Sequence, residues 1–317
     1  MDSLNSWFKV VLNKSNWDKT ATVTPTSAEL SSLTRLFSSA VFHDLAKRGR
    51  SALFARLVRN SNLPLKGGAR ATVGDAFEVA FSMLTTLGRR DEYVYRAAIT
   101  HKILMGTHSL RTASMLSEFR AGECKADLVI LNGTSTVYEI KSERDSLARL
   151  AKQVANYKKV FASVNVIVGE GHVDSVILTV PKDVGVICLS RRYQISVVRD
   201  AANRPGRICP DTVFQSLRSA EAKSILKALG VDVPDLPNTL RYAAMRDLFH
   251  QLRPSDLHAQ MVTTLRRTRN LEPLTSLVDQ LPQSLHAAAL SVPVRRGDHQ
   301  RLVDAVATPL RDAMAWG

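Results

Sequence analysis

Residues Ser117–Phe161 read SEFRAGECKADLVILNGTSTVYEIKSERDSLARLAKQVANYKKVF, and this stretch decides the fold class. Ala126–Leu131 and Thr136–Ile140 are apolar and β-prone, with Asn132-Gly133 between them. That is the short-range signature of a β-hairpin. A helical pattern follows: Asp145-Ser146 offers an N-cap, and Leu147, Leu150, Val154, Tyr157 and Phe161 recur at helical spacing. Ser163–Val168 is a β-branched run, and Pro181–Leu189 reads as another buried strand. The order predicts an α/β unit, a mixed central sheet with helices packed against it.

The hairpin can close in two registers. A two-residue loop of Asn132 and Gly133 pairs Leu131 with Thr134 and Asp127 with Tyr138, turning Asp127 away from Glu139. A three-residue loop of Leu131-Asn132-Gly133 pairs Ile130 with Thr134 and Asp127 with Val137. Gly133 then takes the left-handed position of a type I turn plus bulge. Side chains alternate with period two, so Asp127, Glu139 and Lys141 then share one face. The three-residue loop is the expectation, and it leans partly on the chemistry it permits.

Those three groups suit a hard metal ion and a phosphodiester. Asp127 and Glu139 offer oxygen ligands for Mg²⁺, which also accepts phosphate oxygens. The ion would polarise the phosphate and lower the pKa of a bound water. Lys141 would orient that water or offset charge developing in the transition state. Glu118, expected at the end of a helix, is a candidate outer ligand or base. Glu123 competes with it, and spacing does not choose between them. A Glu-x-Lys triplet arises by chance about once in a chain of this charge content. Its context, between a strand opened by Asp127 and an immediate helix, carries the weight. Gln153 and Tyr157 lie four apart on one face of that helix. Core packing accounts for Tyr157; the Gln153 amide, bordering a buried stripe, needs a partner in the backbone or in a phosphate.

These residues resemble the PD-(D/E)xK nuclease superfamily: Asp127 as the aspartate, Glu139-Ile140-Lys141 as the (D/E)xK triplet, Glu118 as the preceding helical acid. Gln153-x-x-x-Tyr157 is similar to the extra motif of the RecB-like and phage-exonuclease branches. The wording Glu118-Phe119-Arg120, Ala126-Asp127-Leu128-Val129, Tyr138-Glu139-Ile140-Lys141 and Asp145-Ser146-Leu147 more closely resembles the bacterial sce7726 family. The match covers roughly residues 95–200. Ala126 stands where the superfamily's name has proline, a position that varies. The resemblance implies a restriction-endonuclease-like core and hydrolysis of phosphodiesters, most often in DNA. It implies Mg²⁺, with Mn²⁺ as a substitute, held by Asp127, Glu139 and Ile140, catalysis by Asp127, Glu139, Lys141 and Glu118, and substrate contacts from Gln153 and Tyr157.

Around this core the 317 residues suggest three regions: a helical N-terminal region over 1–92, the core over 93–205, and a helical C-terminal region over 206–317. A loop is expected at Leu63–Gly68, a polar boundary at Arg89–Glu92, and a second at Ala201–Gly206. Net charge is +14 and the sequence pI is near 10.0, which favours a polyanionic partner over a merely basic soluble protein; the resemblance makes that partner DNA above all. Basic clusters stand at Lys47, Arg48, Arg50, Arg56 and Arg59, at Arg266, Arg267 and Arg269, and at Arg295 and Arg296. Each fits either a phosphate backbone or a solvated helix face. His250 and His258 are separated by Pro254 and do not read as a metal pair; packing or surface roles suit His101 and His108. Cys124, Cys188 and Cys209 lack zinc spacing and fit a reducing cytoplasm. No signal peptide is evident, and no run approaches the ~20 apolar residues of a membrane span.

The leading expectation is a metal-dependent DNase, endo- or exonucleolytic, whose setting is phage defence, recombination or the processing of a mobile element. The alternatives are a non-catalytic nucleic-acid-binding protein on the same fold, an RNase, or an adaptor in which the helical regions dominate. Those regions would position substrate, form a homodimer or bind a protein partner.

Overall fold

One mixed sheet organises the computed structural model, which describes residues 25–64, 70–86 and 90–317. Its strands are β1 Ser114–Ala121, β2 Cys124–Asn132, β3 Thr134–Lys141, β4 Ser163–Gly169, β5 Gly185–Leu189 and β6 Ile195–Arg199, adjacent in that order. β1, β2 and β3 are antiparallel neighbours, β3, β4 and β5 run parallel, and β6 returns antiparallel. β4 and β5 are buried along their whole lengths, as parallel strands covered on both faces must be.

Among the described residues, four helices precede the site: α1 Ser27–Leu36, α2 Ser39–Arg48, α3 Ala52–Arg59 and α4 Val73–Thr86. α5 Glu92–Ile99 runs on through a π-turn at Thr100–Leu104. α6 Leu150–Tyr157 and α7 Val173–Thr179 alternate with the parallel strands. α8 Pro210–Ser216, α9 Ser219–Ala228, α10 Asn238–His250 and α11 Pro254–Thr268 follow the sheet, and shorter helices continue to the C-terminus. The expected loop at Leu63–Gly68 lies outside the described residues from Leu65 on, as does Arg89 of the expected polar boundary.

Two cores lie on opposite faces of the sheet. One face presents Met115, Leu128, Ile130, Tyr138, Ile140 and Ile167 to helices from the N-terminal region and to residues 271–313. The other presents Val129, Leu131, Val137, Val164 and Val166 to α6 and to residues 208–265. The chain after the sheet therefore serves both faces, crossing between them after α11. Among the described residues, no helix is long and apolar enough to cross a membrane.

Three local expectations are corrected. Glu118 lies not at the end of a helix but within β1. The two residues Gly122 and Glu123 connect the pair Ala121↔Cys124, and Gly122 has φ +60. A side chain there would meet Asn156 Oδ1 at 2.4 Å, so glycine at the first turn position makes a hairpin where a helix end was expected. The second hairpin also closes differently: Leu131 pairs with Ser135, Asn132 with Thr134, and Gly133 turns with φ +67. Relative to the expected register the partner has slid by two residues. A slip of two keeps every side chain on its face, whereas a slip of one would reverse them. Last, α6 begins at Leu150, not after Asp145. The Asp145 carboxylate accepts hydrogen bonds from the N–H and hydroxyl of Ser142, at 2.8 and 2.7 Å, and caps a turn at the end of β3.

Candidate active site

The sheet forks between β2 and β3. Their ladder ends at Leu128↔Tyr138; beyond it β2 stays paired with β1 and β3 with β4. Asp127 stands on one prong and Glu139 on the other, the next positions in register. One hydrogen bond spans the opening: Asp127 Oδ2 accepts the Ile140 N–H at 2.7 Å.

The β3 prong is closed. Glu139 is buried, and its Oε1 accepts from Lys141 Nζ at 2.7 Å and from the Gln153 amide. The Tyr157 hydroxyl lies 2.6 Å from Glu139 Oε2 and 2.8 Å from the Lys125 carbonyl. Burial, then the charge of Glu139, pushes the Tyr157 phenol above its usual range. It therefore remains a donor. The partner that Gln153 required is thus neither backbone nor phosphate but the Glu139 carboxylate. Its own Oε1 is buried without a hydrogen-bond partner among the described residues.

The β2 prong is open. Carboxylate oxygens of Glu92, Glu118 and Asp127 lie within 4.8 Å of one another. Three elements supply them: the first turn of α5, β1 and β2. Pairing of β1 with β2 lapses between Ser117↔Leu128 and Phe119↔Ala126, where Glu118 takes φ +52. That left-handed conformation is costly for a residue with a side chain and re-aims it locally. Arg96, one turn after Glu92, hydrogen-bonds Glu92 and lies 3.8 Å from Glu118. Burial, then the negative charge of Glu139, pushes the Asp127 carboxyl up to about 8, against the opposing Ile140 hydrogen bond and Lys141.

Asp127, Glu139, Lys141, Gln153 and Tyr157 therefore come together as one group, with Ile140 tied to it through its N–H. Glu118 joins through Asp127. Glu123 instead forms an exposed ion pair with Lys152 at 2.7 Å. Glu92 and Arg96 escaped the sequence reading. Their only local signal was Asp91, which accepts the Val94 N–H as the N-cap of α5 and so places Glu92 in the first turn.

Several other polar features of the sequence have structural partners. His258 is buried and meets the Ser135 N–H and hydroxyl at 3.3 and 3.0 Å. His101 Nε2 is 3.1 Å from the Gln283 carbonyl, and His108 Nδ1 is 2.7 Å from Asn132 Nδ2. In the first basic cluster Arg59 donates to the Met314 carbonyl at 2.8 Å and Arg48 pairs with Asp44 at 3.6 Å.

The donor set fits a hard divalent cation. Three carboxylates converge from separate elements, and every candidate donor among them is oxygen. Glu139, saturated by Lys141, Gln153 and Tyr157, lies beside this group and is held rather than open.

Comparison with known proteins finds the family described as Bacteriophage P4 protein cII matching residues 86–278. This is more than half of the 317 residues and includes the whole sheet. The chain belongs to that family. It is 28% identical over 146 residues to Protein cII of Enterobacteria phage P4, covering 45% of this chain and 53% of that protein. The alignment thus spans about half the length of this curated relative. Among solved structures, the SPO1766 protein of unknown function from Silicibacter pomeroyi shares 17% identity, with a TM-score of 0.29 over 43% of this chain and 88% of its own. A TM-score of that size carries no argument about fold.

Proposed function

We propose that this member of the cII family is a divalent-metal-dependent nuclease that hydrolyses phosphodiester bonds of DNA on a restriction-endonuclease-like core. The observation that carries the reading is the forked sheet, with an open carboxylate cluster on one prong and a buried Glu139–Lys141 pair on the other. The sequence resemblance to PD-(D/E)xK nucleases, and to sce7726 proteins in particular, supports it. The helical acid of that pattern is then Glu92, with Glu118 facing it from β1.

Asp127, Glu118 and Glu92 would hold Mg²⁺, or Mn²⁺ in its place. Such a cation would supply Lewis-acid polarisation of the phosphoryl group and would lower the pKa of an attacking water. The protein's own side chains do the rest. Lys141 places a positive charge at the fork, where negative charge develops on the phosphate oxygens. Glu139 orients Lys141, and Gln153 and Tyr157 hold Glu139 from behind. Arg96 neutralises Glu92 and Glu118 until substrate and cation arrive.

The test is cleavage of linear duplex, closed circular, single-stranded DNA and RNA with Mg²⁺ or Mn²⁺. EDTA, Lys141→Ala and Asp127→Asn serve as controls. Loss of one charge-stabilising group should slow cleavage on the order of 10²–10³-fold. Cleavage that persists in EDTA, or in Asp127→Asn, would sink the proposal. Preference for RNA would move the substrate class. DNA binding without cleavage on any substrate would favour a binding protein, a reading for which Arg96 already supplies the cluster's counter-charge.

A further inference from the structure

Arg266, Arg267 and Arg269 are neighbours in sequence but part company in space. Arg269 turns inward, bonding Glu221 through Nε and Nη2 at 2.8 and 2.9 Å. Its guanidinium stands 5.1 Å from the ring centroid of Phe119, the residue after Glu118. Arg266 and Arg267 face a groove, although Arg267 also reaches Ser224 on α9, the helix that holds Glu221. With Arg111, from the segment before β1, they line this open groove of about 260 Å³, completed by Ser114, Thr263 and Asn270.

The groove is built from distant parts of the chain. The Ser114 hydroxyl donates to the Arg266 carbonyl at 3.4 Å, joining the start of β1 to α11. The Arg269–Phe119 stack joins them again further along the strand. No carboxylate lines the groove. Arg267 donates to the Ser224 hydroxyl at 2.6 Å, and Arg111 meets Glu272 at 3.1 Å on the exposed rim. The Arg266 side chain has no hydrogen-bond or ion-pair partner among the described residues.

We propose that this groove binds the phosphate backbone of DNA and leads it along β1 to the carboxylate cluster. Its purpose rests on the nuclease reading; the binding itself does not. Planar guanidinium forks match phosphate oxygens, and hydroxyl and amide groups between them add neutral contacts. β1 is one of the two edge strands of the sheet. Ser114 and Glu118 stand on it four residues apart, about 13 Å at a strand's rise, or the rise of about four nucleotides of one DNA strand. A backbone anchored at Arg266 and Arg267 therefore reaches the cluster within a short run of phosphates.

Binding is measured by fluorescence anisotropy with a short labelled DNA duplex, in EDTA, over a range of KCl concentrations. Arg266→Ala and Arg267→Ala should each weaken binding and lower the slope of log affinity against log salt by about 1, and the double variant by about 2. Arg295→Ala removes a charge from a different groove, beside His43, Lys47 and Pro293, and should change neither. Circular dichroism and a melting curve check that each variant is folded. An unchanged slope in the folded double variant overturns the proposal, and so does an equal loss in Arg295→Ala, which would mark general charge attraction. Tighter binding of an RNA duplex, by a margin that the double variant removes, would overturn the assignment to DNA. The two readings fail separately. A groove that binds DNA in a protein that never cuts it defeats only the nuclease, and cutting that survives the double variant at unchanged affinity defeats only the groove.

Discussion

The two prongs of the fork differ in how their acids are satisfied. On β3, Glu139 is enclosed and every oxygen has a donor: Lys141, Gln153 and Tyr157. On β2, Asp127 faces Glu118 and Glu92 across less than 4.8 Å, with Arg96 as the cationic neighbour of the two exposed acids. The closed prong resembles a structural network, in which a buried charge is tolerable only when fully partnered. The open prong holds like charges together at a cost that a bound cation would cancel. The contrast separates the part of the site built for rigidity from the part built for a ligand.

The sharpest way to break this comparison is to remove one partner from each prong. Lys141→Met leaves the buried Glu139 without its cation. Losing one partner of a buried pair costs about 3–5 kcal/mol, and with Gln153 and Tyr157 still in place the lower end is expected. Urea denaturation should show the midpoint falling steeply. If Lys141→Met melts with the parent, the β3 prong is not the structural element described here.

Asp127→Asn should act in the opposite direction. The Asp127 carboxyl rises from an ordinary value of 3.8 to about 8, so the folded protein holds a proton that the unfolded chain has released. Stability in EDTA must then fall as pH rises from about 4 through about 8, by on the order of a few kcal/mol in total. Asp127→Asn removes this dependence and should be more stable than the parent at pH near 8. Unfolding of both proteins in urea at acidic and alkaline pH measures it; parallel profiles would show that Asp127 carries no raised proton affinity.

Divalent cations should sharpen the contrast further. An ion that binds only the folded state raises stability by about 2.7 kcal/mol at a hundredfold excess over its dissociation constant. Mg²⁺ should therefore raise the melting temperature of the parent and of Gln153→Ala, a change on the closed prong, but not that of Glu92→Gln paired with Asp127→Asn. A shift that survives the double change would place the cation elsewhere.

How much of this was legible in sequence follows from distance along the chain. Asp127, Glu139, Lys141, Gln153 and Tyr157 fall within one hairpin and the next helix, where period-two and i,i+4 rules apply. Face assignment survived an incorrect register because the error was two residues, an even number. β1 was missed although Gly122-Glu123 is a hairpin turn, because the acidic and basic residues around Phe119 masked the strand's alternation. Glu92 and Arg96 follow no spacing rule relative to Asp127; they arrive by the packing of α5 across the sheet. The groove of Arg111, Arg266 and Arg267 was illegible for the same reason, since its residues are brought together only by α11 lying against β1.

The smallest predicted effect tests the strain in the open prong directly. Glu118 holds φ +52, a region that costs a non-glycine residue about 1–3 kcal/mol. Its side chain is more than half exposed and its near neighbours include two acids. Glu118→Gly removes both the steric strain and one negative charge, but it also frees the unfolded chain, which offsets part of the gain. The net expectation is a stabilisation of about 1 kcal/mol in EDTA, and a loss in the stabilisation conferred by Mg²⁺. Glu118→Ala removes the charge while keeping the backbone penalty and should gain less. If alanine stabilises as much as glycine, repulsion among the acids dominates and the unusual backbone is incidental. If neither variant stabilises, the nearby Arg96 already compensates Glu118, and the open prong is less strained than the closed one is rigid.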